Sequence, residues 1–379
     1  MPGAVSTTVV VVTWRGADHV TACLDALAAQ DRPHATLVVD NASRDGTAAL
    51  LAAHPSAPTV LRLDRNVGYA GALAAALARV DTPYLAWLND DAAPAPGWLA
   101  ALENALRPGV AAVASRLEHP DGTMQSAGVR LTRDGHGADI TAEALPTAEA
   151  ASNTAEALPP AEAASNTAEA LPTAEAATNT AEALPPAEAA TNTTQAFPLP
   201  EAASGTAGNP EPFGFCGGAA LLRTDVLRAV GGVPAAFFCY YEDTDTAWRL
   251  RLAGHRVVLA PAARVRHLHG ASTRPGSTGF HRWNERNRLL MLLRCAPAEV
   301  ALRELARFAA ITAALPLRRT LPRTPRRAVP DAANFRVGLR CRVLVEVLGR
   351  LPASLRQRRA IGRRATAGRR AVWRTWAGR

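Results

Sequence analysis

Between residues 9 and 88, four short runs of β-branched and apolar residues alternate with helical patterns, and few folds accommodate that order. The first run, 9–13, is followed by a helix start at Asp18 with apolar positions Val20, Leu24 and Leu27, and the second, 36–39, ends in Asp40-Asn41. Residues 43–46 turn the chain into a helix over 47–53; 60–63 reads as a strand, 71–80 as an Ala-rich helix and 84–88 as the fourth strand. Apolar runs bounded by turn residues predict strands, and apolar spacings of three and four predict helices. Alternation of the two predicts an α/β domain with a mostly parallel, Rossmann-like sheet whose ligands sit beyond the carboxyl ends of the strands. Asp40, Asn66 and Asp91 all fall at such ends.

Two acidic clusters stand out: Leu88-Asn89-Asp90-Asp91-Ala92 and Tyr240-Tyr241-Glu242-Asp243-Thr244-Asp245. Carboxylates this dense repel one another, so a divalent cation that neutralises them, or a task that needs a perturbed pKa, explains their packing after an apolar run. For either cluster alone, a solvated acidic turn is the alternative.

From Thr141 the chain becomes a tandem repeat of about 13 residues, restarting at Thr154, Thr167 and Thr180 and decaying by Gly205. Ala and Glu favour helix, but every unit carries Pro or Pro-Pro after Leu, which limits any helix to a turn or two. The segment 141–205 therefore reads as a disordered or loosely helical acidic insertion, either a repeat expansion in a tolerant surface loop or a Glu-lined spacer. Order is expected to resume at Phe213. Asp225 is placed to cap a helix over 226–230, Gly231-Gly232 to end it, 245–253 to form a helix closed by Gly254, and 256–259 and 263–267 to be strands.

All 42 basic residues are arginine, and they concentrate after about residue 296, so the formal charge of +9 understates a basic tail. Such a tail implies an anionic partner. The five cysteines are odd in number, scattered and lack C-x-x-C spacing, so neither a disulfide framework nor a zinc knuckle is indicated and a reducing cytosol fits. No signal-peptide pattern opens the chain, and its longest apolar run, 308–317, is too short to span a bilayer. The expectation is a cytoplasmic protein, soluble or lying on a membrane.

These residues resemble the family 2 glycosyltransferases, inverting sugar-nucleotide enzymes with the GT-A fold, and in particular their bacterial rhamnosyltransferase-like branch. The likeness covers most of residues 7–295 apart from the repeat. It rests on Val10-Val11-Val12-Thr13-Trp14, Val38-Val39-Asp40-Asn41-Ala42-Ser43, Asn66-Val67-Gly68-Tyr69, Asn89-Asp90-Asp91, Gly217-Gly218-Ala219, Tyr241-Glu242-Asp243-Thr244-Asp245 with Trp248-Arg249, the stretch 267–272 and Arg286-Asn287.

The resemblance implies four parts: a GT-A nucleotide-sugar half (1–140), the insertion (141–205), an acceptor and catalytic half (206–295) and a basic helical C-terminal extension (296–379). It also implies roles. Asp243 would be the general base with Glu242 beside it, and Thr13, Asp40, Asn66 and Asp90 would bind the nucleotide sugar. Asp91, Asn89 and His267 would hold Mg²⁺ or Mn²⁺ on the diphosphate, with His269 a lesser candidate. Asp245 and Trp248 would face the acceptor. Bland readings stand beside several of these: Asp40 as a turn cap, Asp245 in a salt link to Arg249 or Arg251, His267 as a packed side chain. The implied activity is transfer of a sugar from a nucleoside diphosphate (dTDP-rhamnose or a UDP-sugar) to a glycan or lipid-linked acceptor of the cell envelope. Asn89 stands where the family has its first Asp, and Val233-Pro234-Ala235 replaces Phe-Asp-Glu. These departures permit the rival reading, a catalytically silent glycan- or nucleotide-binding protein.

The alternating Arg and aliphatic residues of the tail suit helices lying on the inner face of an anionic membrane, with Trp373 and Trp376 as interfacial anchors. Nucleic-acid binding lacks any readout motif. A helical arm for homo-oligomerisation stays open.

Overall fold

The valines of β1 (Thr7–Thr13) are buried over their whole run, as befits a strand with layers on both faces. The computed structural model describes residues 5–142, 210–268, 275–320 (side chains to 317) and 332–378; the repeat, apart from its first two residues, and His269 lie outside them. Residues 1–144 and 202–379 cluster as one compact unit.

β1 pairs in parallel with β2 (His34–Asp40) and β4 (Tyr84–Asn89), and β2 with β3 (Thr59–Arg62). Beyond β4 the sheet becomes mixed. β10 (Ala219–Arg223) lies antiparallel between β4 and β6 (Val110–Glu118); β11 (Arg256–His267) follows parallel to β6, and β5 (Ala92–Pro94) closes the order antiparallel to β11. β7 (Met124–Ser126) hangs on β6, and β8 (Val129–Leu131) with β9 (Gly137–Asp139) makes a small second sheet. The fold is the mixed α/β GT-A type.

One core cluster joins Val9, Val11, Val38, Ala86 and Leu221 of the sheet to Val20, Leu24 and Leu27 of α1 (Val20–Ala28) and to Trp98, Leu99 and Leu102 of α4 (Trp98–Ala105). α2 (Thr47–Ala53) adds Leu51, and α3 (Gly68–Leu77) packs on β1 and β2. Later in the chain come α5 (Thr224–Ala229), α6 (Glu242–Leu252), α7 (Thr278–Cys295), α8 (Ala298–Thr320), α9 (Val337–Arg364) and α10 (Arg369–Trp376).

Several local expectations change. Neither Asp18 nor Asp225 caps a helix: α1 starts after His19, and Asp225 sits within the first turn of α5. The two strands expected over 256–267 are one, β11, with a register shift between Ala260 and Arg264. α6 starts at Glu242, so the second acidic cluster is a helix start, where carboxylates meet the positive end of the helix dipole.

Trp373 and Trp376, expected as interfacial anchors, are half-buried against aromatic side chains of the protein itself. Trp373 stacks on Trp248 of α6 (5.9 Å, 15°), while Trp376 lies 6.1 Å from Phe213 with the Arg251 guanidinium 4.1 Å over its ring. Only part of their apolar area is left to solvent. Among the described residues, no helix is long and apolar enough to cross a membrane.

Candidate active site

The end of β4 and the start of α6 open on one cleft of about 480 Å³ at the carboxyl end of the parallel strands. The cleft is lined by Asn66, Asn89, Asp90, Asp91, Glu242, Asp243 and His267, so seven of the sequence candidates converge there. Gly217 and Gly218 stand between the two acidic clusters. A Cβ on Gly217 would lie 3.3 Å from Asp243 Oδ2 and 3.5 Å from Glu242 Oε1; one on Gly218 would lie 3.5 Å from His267 Cε1 and 3.6 Å from Asn89 Nδ2. Only small residues leave this close approach open.

On one side, His267 arrives at the end of β11. Its Nδ1 meets Gln125 Oε1 at 2.9 Å, and its Nε2 lies 3.1 Å from both Asp91 Oδ1 and Asn89 Nδ2. With Gln125 at Nδ1, the Nε2 side of the ring is turned toward the Asp91 carboxylate. Burial pushes the Asp91 carboxyl up, but the hydrogen bond and charge of His267 outweigh it and hold the carboxyl below its usual range. Asp90 is different: burial raises it to about 6, only partly offset by the neighbouring Thr13 hydroxyl. Among the described residues no group of three or more His, Cys, Asp and Glu side chains forms a ready metal cage. The donor set here is one carboxylate, one imidazole and an amide, which suits a hard or borderline cation that keeps further oxygen ligands from substrate or water.

On the other side, Asp243 Oδ2 accepts from Gly217 N–H at 2.8 Å, and its Oδ1 accepts from the backbone and hydroxyl of Thr244. The Gly217 carbonyl in turn accepts from Tyr69 Oη at 2.6 Å. Burial pushes both Glu242 and Asp243 above the ordinary carboxylate range, with the charge of Asp243 adding to the rise at Glu242. Glu242 Oε2 is buried without a hydrogen-bond partner among the described residues. These two carboxylates are poised to take protons at the wall of the cleft.

The backbone leading to them is strained. Phe238, Tyr240 and Tyr241 have φ of 68°, 70° and 68°, conformations that side chains larger than Gly adopt only when their surroundings hold them. The hold comes from α7. Asn287 Nδ2 lies 3.0, 2.8 and 2.8 Å from the carbonyls of Phe237, Cys239 and Tyr240, and Arg286 donates to that of Phe237 at 2.6 Å. The same helix supplies Phe280, Trp283 and Asn284 to the cleft, with Trp283 against Phe238 (4.9 Å) and Phe280 against Tyr240 (5.1 Å), an aromatic wall.

Four sequence candidates do not line the cleft. Thr13 is fully buried behind it, and with Asp90 it crowds Gly16, where a Cβ would meet both side chains within 2.4 Å. Asp40 accepts from Ser43 N–H at 2.8 Å and pairs with Arg62 at 2.9 Å, the turn-holding arrangement. Asp245 and Trp248 are the corrections. Asp245 is fully buried, held by Arg249 at 2.8 Å and Arg294 at 3.3 Å, and Trp248 is packed between Phe213 and Trp373. At about 100° per residue both point away from the side of α6 that presents Asp243.

Sequence reasoning missed Gln125, Asn284 and the aromatic wall, and it assigned Tyr69 and Asn287 no role. Gln125 lay in a stretch with no recognised element, and the other residues carry no signal without knowing what they touch.

Residues 8–146 match the family described as Glycosyl transferase family 2. No curated protein matches the chain. Among solved structures, GalNAc-T7 with UDP, GalNAc and Mn²⁺ aligns with a TM-score of 0.52 at 11% identity, over 92% of this chain and 57% of that one. The mannosyltransferase PcManGT from Pyrobaculum calidifontis, in complex with GDP-Man and Mn²⁺, aligns with a TM-score of 0.44 at 18% identity, over 99% and 80%. S. aureus TarS 1-349 in complex with UDP gives 0.44 at 14% identity, over 98% and 90%. The chain thus has the GT-A glycosyltransferase fold, and its residues 8–146 are similar to the glycosyl transferase family 2.

Proposed function

We propose that this protein is an inverting glycosyltransferase that moves one sugar, in the leading case a hexose, from a nucleoside diphosphate to a hydroxyl of a glycan or lipid-linked acceptor. The observation that carries the reading is the cleft itself, where Asn89, Asp90 and Asp91 face Glu242 and Asp243 across Gly217-Gly218. Asp243 removes the proton from the acceptor hydroxyl as its oxygen bonds to the anomeric carbon, and the bond from that carbon to the diphosphate oxygen breaks on the opposite face. Gly217 N–H fixes the orientation of that carboxylate. Glu242 Oε2, without a protein donor among the described residues, accepts from another acceptor hydroxyl. The wall of Phe238, Tyr240, Phe280 and Trp283 gives the sugar an apolar face and keeps water from the anomeric carbon. Asn66, Asn41 and Trp14 line the donor end, with Asp90.

Asp91, His267 and Asn89 are the residues that would hold Mg²⁺ or Mn²⁺. Bound there, the ion would stabilise the charge that builds on the departing diphosphate. Mn²⁺ accompanies both GalNAc-T7 and PcManGT, which supports this reading. dTDP-rhamnose and UDP-sugars are the leading donors, and envelope polysaccharide assembly at the inner face of the cell membrane the leading setting.

Calorimetric titration with UDP, dTDP and GDP, with and without Mn²⁺, tests the donor half. One nucleotide should bind in a metal-dependent way, and Asp91→Ala should abolish the dependence. Failure of all three to bind with metal present would contradict the reading.

A further inference from the structure

We infer that the outward face of α9 docks on an anionic lipid surface. The inward face of this helix is plain. Leu339, Val343, Val347, Ser354 and Ile361 are buried, recur at spacings of four and seven, and pack the helix along α7. At about 100° per residue, the opposite line runs through Cys341, Val345, Leu348, Pro352, Leu355, Arg359 and Arg363. A helix on the rim of a water-soluble protein puts polar side chains on that line. Here Val345, Leu348 and Leu355 are 69%, 58% and 44% exposed. Single exposed aliphatics are ordinary, but three of the nine large ones exposed among the described residues fall on this one line, within about 15 Å.

Charge selects the occupant. Residues 332–378 contain twelve arginines and one acidic residue, Glu346. Arg356, Arg359 and Arg363 continue the apolar line on exposed turns. Apolar side chains followed by arginines match an acyl boundary roofed by anionic headgroups. A second copy fits less well: a parallel pair sets arginine against arginine, and an antiparallel pair buries arginine against leucine. Nucleic acid would use the arginines and leave the apolar line without a partner.

The placement also bears on catalysis, and this consequence alone rests on the transferase reading. Glu346, next to Val345, pairs with Arg282 and Arg286 of α7, and Trp283 and Asn284 of α7 line the cleft. A bilayer on this face is separated from the cleft by α9 and α7, and α7 is the link between them.

The test is co-sedimentation of the full chain with vesicles of phosphatidylcholine alone or mixed with phosphatidylglycerol. Binding should require the anionic lipid. V345S/L348S/L355S should weaken it about tenfold, and R356Q/R359Q/R363Q by at least as much. All six side chains are solvent-facing, so thermal unfolding of both variants should match the parent. Absence of binding to anionic vesicles, equal binding to both vesicle types, or full binding by the apolar variant would overturn the inference. So would a dimer in sedimentation velocity that the apolar variant dissolves, which assigns the face to a second copy. Nucleotide titrations in the absence of vesicles report on the cleft separately, so failure of either reading is seen independently.

Discussion

The side-chain amide of Asn287 lies 2.8 Å from the carbonyl of Tyr240, and through that bond α7 holds the left-handed loop that delivers Glu242 and Asp243. Positive φ at a non-glycine residue costs on the order of 1–3 kcal/mol, and three such residues occur within four positions. Asn287→Ala removes the donor facing three carbonyls, so stability should fall by roughly 2 kcal/mol or more in urea unfolding. If the loop positions the base, kcat should fall by a larger factor than donor KM rises. Unchanged stability and turnover would show that the loop holds itself.

The facing pair Asp91 and His267 makes a second expectation. His267→Ala removes one of two strong donors, and Asp91→Asn removes the charge. Each should weaken metal-supported nucleotide binding by about 10-fold or more while sparing the fold, and a chelator should reproduce the loss in the parent protein. Titration of Mn²⁺ back into chelated protein, followed by nucleotide binding, checks this.

Burial raises the pKa of Asp243, so its proton leaves only above the ordinary aspartate range. A base must be ionised, so turnover should be lost as the pH falls through an apparent pKa above about 4, the usual aspartate value. For Glu242, raised in the folded state, the stabilising contribution is full below its unfolded pKa and is lost as the pH rises through the folded value. Glu242→Gln should therefore gain stability relative to the parent at about pH 8 and lose that advantage towards about pH 4, read by thermal unfolding across the range.

Trp373 stacks on Trp248, which belongs to the helix whose first turn carries the base. Trp373→Ala should destabilise by about 2 kcal/mol, while Trp373→Phe should restore most of that. Turnover that falls in the alanine variant and recovers in the phenylalanine variant would tie the C-terminal segment to the site.

β1, β2 and β4 were legible because strands with buried runs are nearly continuous apolar stretches ending at a polar turn, whereas β3, exposed at the sheet edge, was legible only from its short apolar run. The stretch from 92 to 140 was not. β5, β7, β8 and β9 are three residues each, and β6 is rich in alanine, too little pattern to register. Residue type was enough to single out Asp91 and Asp243, which the fold brings to one cleft. It failed where a side chain has two credible uses. Asp245 has an arginine four residues on, but its second partner, Arg294, comes from α7. Trp373 and Trp376 were read as interfacial anchors, yet a period cannot distinguish a lipid surface from the Trp248 and Phe213 side chains that partly cover them.

The most direct measurement of the central claim is nucleoside diphosphate release from a panel of dTDP-, UDP- and GDP-sugars with Mn²⁺ and a glycan or lipid-linked acceptor, comparing the parent with Asp243→Asn. The account predicts release from one donor, a loss of about 10²-fold or more in the variant, and unchanged metal-dependent nucleotide binding. Equal release by the two proteins would contradict it, as would the absence of both release and metal-dependent nucleotide binding across the panel.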